Sequence, residues 1–244
     1  MGMSPVVLIT GAARRVGAAT ARELHAAGWN VVIHAHRSFE EAWALAMTLN
    51  QSRPDSAQAL QADLLDAAAL ERLAQAARDC WGRLDALVNN ASTYYATPLG
   101  QVTPEAFEDL LGSNLRAPLL LTQACAARME QGSVVNIIDV HAHRPQRGYS
   151  AYTAAKAGLW ALTEALALEL APRIRVNGVA PGHMIWPTGN QLNELQQRAE
   201  LARVPMARLG GGEEIARAVK FLLSEEAGYI TGAILPVDGG IRLG

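Results

Sequence analysis

Tyr152 and Lys156 stand four residues apart in a segment where Leu159, Leu162, Leu166 and Leu170 recur at helical spacing. One helix face therefore carries a phenol and an ammonium together. An ammonium beside a phenol favours the phenolate and predicts a tyrosine pKa below its ordinary value of about 10, which makes a usable proton donor. A second group lies near the N-terminus, where Thr10-Gly11-Ala12-Ala13-Arg14-Arg15-Val16-Gly17 follows the apolar run Val6 to Thr10. It opens a stretch in which Val16, Thr20, Leu24 and Ala27 share one helical stripe. Glycine permits the turn and a close backbone approach, while the N–H groups and dipole of a helix start favour a pyrophosphate. A dinucleotide at this loop is implied by the strand before it and the helix after it.

The end of the second strand selects the cofactor, since a carboxylate there binds a free ribose 2′-hydroxyl and a cation accepts a 2′-phosphate. The chain offers His36-Arg37-Ser38 and no Asp or Glu in that stretch. Arg37 can grip a phosphate, Ser38 can donate a hydrogen bond and Arg14 can add charge, so NADPH is expected over NADH. The plainer reading of Arg37 is a solvated surface cation.

These residues need a scaffold, and the sequence supplies one. Short apolar runs at Val6 to Thr10, Val31 to Ala35, Ala57 to Gln61, Leu84 to Asn89, Val134 to Ile138, Ile174 to Val179 and Ala233 to Val237 predict seven strands. Helical segments alternate with them, which implies parallel pairing through right-handed crossovers. The expected fold is α/β: a doubly wound (Rossmann) parallel seven-stranded sheet with helices on both faces, one domain over residues 1–244. Pro181 to Asn190 has no clear regular pattern. It lies just beyond the sixth strand, where ligands bind in such sheets, and a substrate loop is expected around 181–205.

Composition narrows the classes. Of 244 residues, 50% are hydrophobic and 18% charged, as in a compact globular chain. With 21 Lys plus Arg against 23 Asp plus Glu, the net charge is −2, and no basic run suggests nucleic-acid binding. Cys80 and Cys125 have no Cys-x-x-Cys spacing, so neither a disulfide framework nor a zinc site is expected. His25, His34, His141, His143 and His183 lack metal-ligand spacing backed by carboxylates, and no metal is expected. No stretch approaches membrane-spanning length and no secretion signal precedes Val6, so a cytoplasmic protein is expected.

Adding Asn89-Asn90-Ala91-Ser92, Pro181-Gly182 and Val237-Asp238-Gly239-Gly240 to the loop and the Tyr152/Lys156 pair, the chain resembles the short-chain dehydrogenase/reductase family from end to end. Within it the chain looks most like the pteridine reductases, on three departures from the common pattern. Arg15 replaces the usual mid-loop glycine, the second strand ends in His36-Arg37-Ser38, and Asp139 stands where a catalytic serine is usual, 13 positions before Tyr152. An ionised aspartate would repel the oxyanion of a reacting ketone, whereas it would stabilise the iminium character that develops when a C=N bond is reduced. The alternative for Asp139 is a local cap or ion pair with His141, His143 or Arg144 nearby.

The resemblance implies hydride transfer to pterins or dihydropterins, with folates as further substrates, in a homotetramer. It makes Asp139, Tyr152, Lys156 and Asn114 the catalytic set, with Lys156 on the nicotinamide ribose and Asn114 completing a proton relay through water. Gly11, Arg14, Arg15, Val16, Gly17, His36, Arg37, Ser38, Asp63, Leu64, Asn90, Ala91, Ser92, Tyr152, Lys156, Pro181 and Gly182 become cofactor residues. Asp63 is placed at the adenine, with a helix N-cap as its plainer role. Arg15, Ser92, Tyr94, Asp139, Tyr149, Tyr152 and Trp186 are implied at the substrate. Tyr94 stands where the family has Phe and would stack on the pterin, although Tyr94, Tyr95 and Trp186 could be ordinary semi-buried aromatics. Two other functions stay open: a carbonyl reductase using NADPH, and a non-enzymatic NADPH-binding protein.

Overall fold

The computed structural model describes residues 4–184 and 193–243. Seven strands among them form one sheet: β1 (Val6–Ile9), β2 (Asn30–Ala35), β3 (Ala57–Gln61), β4 (Ala86–Asn89), β5 (Gly132–Ile137), β6 (Ile174–Pro181) and β7 (Ile234–Val237). Their order is β3-β2-β1-β4-β5-β6-β7, and every neighbouring pair is parallel. Eight helices accompany them: α1 (Arg15–Ala26), α2 (Phe39–Ser52), α3 (Ala67–Asp79), α4 (Pro104–Leu111), α5 (Ala117–Ala126), α6 (Ser150–Leu170), α7 (Glu194–Ala202) and α8 (Gly212–Leu223).

The strands read as unbroken apolar runs because both faces are covered. In β1, Val7 and Ile9 face a core shared with α1, α2 and α8, while Val6 and Leu8 face one shared with α3, α5 and α6. All four are fully buried. The α1 stripe is Gly17, Ala18, Thr20, Ala21 and Leu24, with Val16 only partly buried and Ala27 exposed as the C-cap. Strand β4 starts later than the expected Leu84. Asp85 is spent on the edge of β1, its carboxylate accepting from the Val6 N–H at 2.7 Å and its own N–H donating to the Val6 carbonyl at 2.9 Å.

The substrate segment also differs from its expected form. Strand β6 continues through Pro181, and α7 occupies part of 181–205. Asn193 and Gln196 form a capping box that starts this helix, a local signal in the sequence. Strand order reverses between β1 and β4, so the loops that follow them flank the crevice where an open parallel sheet binds its ligand.

Candidate active site

One cavity of about 1970 Å³ runs along the carboxyl ends of the strands. The loop after β1 is built around backbone contact. Gly11 has φ +61° and no room for a side chain, since a Cβ would lie 2.9 Å from the Ala91 Cα. A Cβ on Gly17 would lie 2.6 Å from both the Asn90 amide nitrogen and the Gly11 oxygen. Asn90 ties the loop down, its Nδ2 donating to the Thr10 and Gly11 carbonyls at 2.8 and 3.1 Å. The Thr10 hydroxyl accepts from the N–H groups of Asn90 and Ala91 at 2.9 and 3.0 Å. Arg14, the N-cap of α1, makes no side-chain capping bond, so the helix start keeps N–H groups for an anion.

His34 clamps the same loop from β2. Its Nδ1 accepts from the Gly11 N–H at 3.3 Å and its Nε2 lies 3.1 Å from the Ala62 carbonyl, which fixes the Nε2–H tautomer. Burial pushes its pKa down to about 4, keeping the ring neutral. The sequence singles out His34 only against a metal-ligand role; the signal for its clamping role is its place in the apolar run Val31 to Ala35, just before His36-Arg37-Ser38.

Arg15 has φ +52°, the left-handed region where a non-glycine residue costs roughly 1–2 kcal/mol. Arg15→Gly is therefore expected to raise stability by about 1 kcal/mol while weakening dinucleotide binding at least about tenfold. Thermal unfolding and cofactor titration of one preparation read both effects, and a less stable glycine variant would show that the Arg15 side chain holds the loop.

At the selecting end, His36 and Arg37 line the cavity with Asp63 and Leu64. Arg37 is exposed and has no ion pair among the described residues. Arg14 also lines the cavity, with its guanidinium paired to Glu41 of α2. Ser38 is not on the cavity wall; it is the N-cap of α2. Asp63 is not the helix N-cap, a place taken by Asp66, whose carboxylate accepts from the Ala68 N–H at 2.9 Å. Asp63 instead accepts from the Leu65 N–H at 2.9 Å and lies 4.0 Å from His36 Nε2. Pro181 and Gly182 also line the cavity. Gly182 packs so closely on Asp238 that a Cβ would meet its Cα at 2.8 Å, which gives the Asp238-Gly239-Gly240 turn a supporting role.

The reacting end centres on Asp139. Its Oδ2 accepts from the Tyr152 hydroxyl at 2.7 Å and its Oδ1 from the His141 N–H at 2.8 Å, so the local cap and the phenol contact are both present. The expected lowering of the Tyr152 pKa is reversed. Burial and the Asp139 carboxylate push it well above 10, and the phenol keeps its proton. Lys156 does not offset this, for its ammonium donates to the Ile137 carbonyl at 2.9 Å and sits 5.8 Å from the Tyr152 ring centre. Burial lowers its own pKa to about 8, against a smaller upward pull from Asp139.

Asn114 is fully buried, outside the cavity wall, in a π-helical turn, Gly112–Arg116, between α4 and α5. Such turns often mark functional sites. Its Nδ2 donates to the Thr93 and Leu110 carbonyls, each at 3.0 Å, and its Oδ1 accepts from the Ser92 hydroxyl at 2.6 Å. The side chains form two pairs, Tyr152 donating to Asp139 and Ser92 donating to Asn114.

Tyr94 and Tyr149 stack at 4.8 Å between ring centres, and Tyr94 meets Tyr152 edge-on at 4.9 Å. The Tyr94 hydroxyl finds its partner in the Gln146 side chain at 3.1 Å. One face of the aromatic expected to stack on substrate is thus already covered by Tyr149. Trp186 lies outside the described residues. Among those residues no group of three or more His, Cys, Asp or Glu side chains is placed to hold a metal ion, and no helix is long and apolar enough to cross a membrane.

A parallel doubly wound sheet, a glycine-dependent loop at its switch point and a Tyr-x-x-x-Lys pair define a nicotinamide-dependent oxidoreductase. The model of a family described as enoyl-(acyl carrier protein) reductase matches residues 11–242, and the chain belongs to the short-chain dehydrogenase/reductase family. It is 39% identical to pteridine reductase 1 of Leishmania tarentolae, over 98% of this chain and 97% of that one. It is 37% identical to the 3-oxoacyl-(acyl-carrier-protein) reductase FabG of Escherichia coli K12, again over 98% of this chain and 97% of the relative. A putative ketoacyl reductase of the granaticin polyketide synthase of Streptomyces violaceoruber is similar to the same degree, at 37% identity.

Proposed function

We propose that the chain is an NADPH-dependent pteridine reductase that reduces the C=N system of oxidised pterins or dihydropterins, with folates as further substrates. The observation that carries this reading is the Asp139 carboxylate on the cavity wall, 2.7 Å from the Tyr152 hydroxyl. Bound NADPH supplies a hydride to the ring carbon. The first loop, with Asn90, Ala91, Val16, Leu64, Pro181 and Gly182, fits the dinucleotide, because Gly11 and Gly17 leave the cradle that side chains would fill.

The protein's own groups then manage charge and proton. As the ring carbon gains its C–H bond, the electron pair of C=N moves to nitrogen, which must take up a proton. Tyr152 holds that proton at rest, hydrogen-bonded to Asp139, and passes it to the ring nitrogen ahead of the hydride, so that the nitrogen carries cationic character beside the carboxylate until the C–H bond forms. A ketone developing an oxyanion at the same place would face that negative charge. Lys156, anchored on Ile137, orients the ribose, and Asn114 holds the Ser92 hydroxyl on the cavity side of the loop after β4. Tyr94 offers its uncovered face to the pterin. The reading includes a cytoplasmic homotetramer with no nucleic-acid or membrane partner.

The ketoacyl reductase relatives favour a second reading, a carbonyl reductase using NADPH. NADPH oxidation measured with pterins, dihydropterins, folates and β-ketoacyl thioesters separates the two. We expect kcat/KM for a pterin to exceed that for any ketone by at least about a hundredfold, as a charge mismatch in the transition state costs. Ketone turnover that rises in Asp139→Ser, with pterins inert, would establish the second reading. Cofactor binding with no turnover of any substrate would indicate a binding protein.

A further inference from the structure

Two loops from neighbouring strands meet at the reacting end. The loop after β4 carries Tyr94 and Thr97, and the segment from Ile138 to Tyr149 joins β5 to α6. That segment contains Asp139 and stops three residues short of Tyr152, so it spaces the two reacting groups. The Thr97 N–H ties the loops together by donating to the Gly148 carbonyl at 2.7 Å. Two further contacts converge on one ring. Tyr94 stacks on Tyr149 at 4.8 Å with 15° between the planes, and its hydroxyl donates to Gln146 Oε1 at 3.1 Å. Burial and the neighbouring Tyr149 push the Tyr94 pKa well above 10, so the phenol keeps the proton it donates. The two contacts restrain different motions. A stacked neighbour fixes the plane of the ring, which turns about Cβ–Cγ. The hydroxyl lies on that axis, so its hydrogen bond cannot hold the plane and instead stops the ring from swinging about Cα–Cβ. Gln146 thus sets where the ring stands, and Tyr149 sets which way it faces. The same swing would take the ring off the edge of Tyr152, 4.9 Å away.

We propose that Gln146 is a positioning residue for the substrate ring, fixing through the Tyr94 hydroxyl the place at which that ring stacks. The inference rests on the pterin reading and adds to it a residue that acts through Tyr94. A flat ring bound on the uncovered face of Tyr94 takes its position from that face, which the Gln146 bond holds in place before the substrate arrives. Phe at position 94 would keep the stack and have no anchor, which gives the hydroxyl of Tyr94 its use. Without the anchor, the ring must be ordered when the pterin binds, while Asp139 and Tyr152 keep their own bond. The cost therefore falls on KM and not on kcat.

The test is a double-mutant cycle of Gln146→Leu, Tyr94→Phe and the two together, read as dihydropterin KM and kcat, NADPH affinity and thermal unfolding. Gln146→Leu is expected to raise KM about three- to tenfold, the range of one neutral hydrogen bond, with kcat within about twofold and NADPH affinity unchanged. Tyr94→Phe should raise KM by the same factor. The double variant should show no further rise, because both changes remove one and the same bond. The Thr97–Gly148 bond uses no side chain and keeps the segment closed in the leucine variant. Should that variant still fail to fold, Tyr94→Phe with an unchanged KM overturns the proposal by itself. A Gln146→Leu loss that persists in the Tyr94→Phe background means that Gln146 meets the substrate directly, and it overturns the positioning role. A fall in kcat together with a lower unfolding temperature assigns the bond to folding and overturns it equally. All three leave the reductase reading intact. No turnover of any dihydropterin by the wild type with NADPH bound overturns that reading, and the proposal with it.

Discussion

Asp139→Asn is expected to lower pterin turnover by about 10² to 10⁴ while leaving NADPH affinity within about threefold, the range typical for loss of a positioned proton-transfer group. The substitution keeps the shape of the side chain, and the amide oxygen can still accept from the His141 N–H or from Tyr152, now paired at 2.8 and 2.7 Å. What disappears is the charge. Without it the ring nitrogen loses its electrostatic partner, and the Tyr152 phenol, still buried, loses one of the causes that hold its pKa high. Asp139→Ala tests the same point less cleanly, because it also leaves the 3₁₀ turn Val140–Ala142 uncapped. Steady-state turnover with a dihydropterin and direct cofactor titration read the two halves of the prediction. Near-full turnover in the asparagine variant would mean that the charge has no part in the chemistry.

Much of the scaffold is legible in the sequence because its strands are buried on both faces. Val6 to Ile9 cannot be anything but interior strand once a glycine loop follows it, and the parallel order follows from alternation alone. The loop and the Tyr152/Lys156 pair are legible because one follows a strand end and the other sits on a patterned helix, whereas Asp139 is legible only through the family resemblance, as the residue 13 positions before Tyr152. What local spacing cannot give is which charge wins across the fold. Glu41 reaches Arg14 from a different helix, 27 positions away, so the expected help for a 2′-phosphate is partly engaged elsewhere. Four-residue spacing places Tyr152 and Lys156 on one face but does not reveal that the ammonium turns to Ile137 while the phenol meets Asp139. The reversed direction of the Tyr152 pKa comes from that tertiary choice. The π-helical turn around Asn114 has no composition signal, and the Tyr94–Tyr149 stack depends on how Val140 to Gly148 folds back over the cavity.

The reversal has a consequence for pH. If Lys156 lowered the Tyr152 pKa, the fall of activity at high pH would belong to the phenol. With the phenol pushed well above 10 and the buried ammonium brought down to about 8, the order of titration is exchanged. Below pH 8 Lys156 is charged and donates to Ile137, its orienting state. Above pH 8 it loses its proton, and kcat/KM is expected to fall about tenfold per pH unit, reaching about a hundredfold by pH 10. Lys156→Arg keeps the charge at every accessible pH and should abolish the limb near 8, even if its lower plateau is reduced. Should the larger guanidinium prevent folding, Asp139→Asn provides the second measurement. Asp139 raises the Lys156 pKa, so its neutralisation must move the limb below 8. A limb that stays fixed in Asp139→Asn, or persists in a folded Lys156→Arg, would assign the titration to a group other than this lysine.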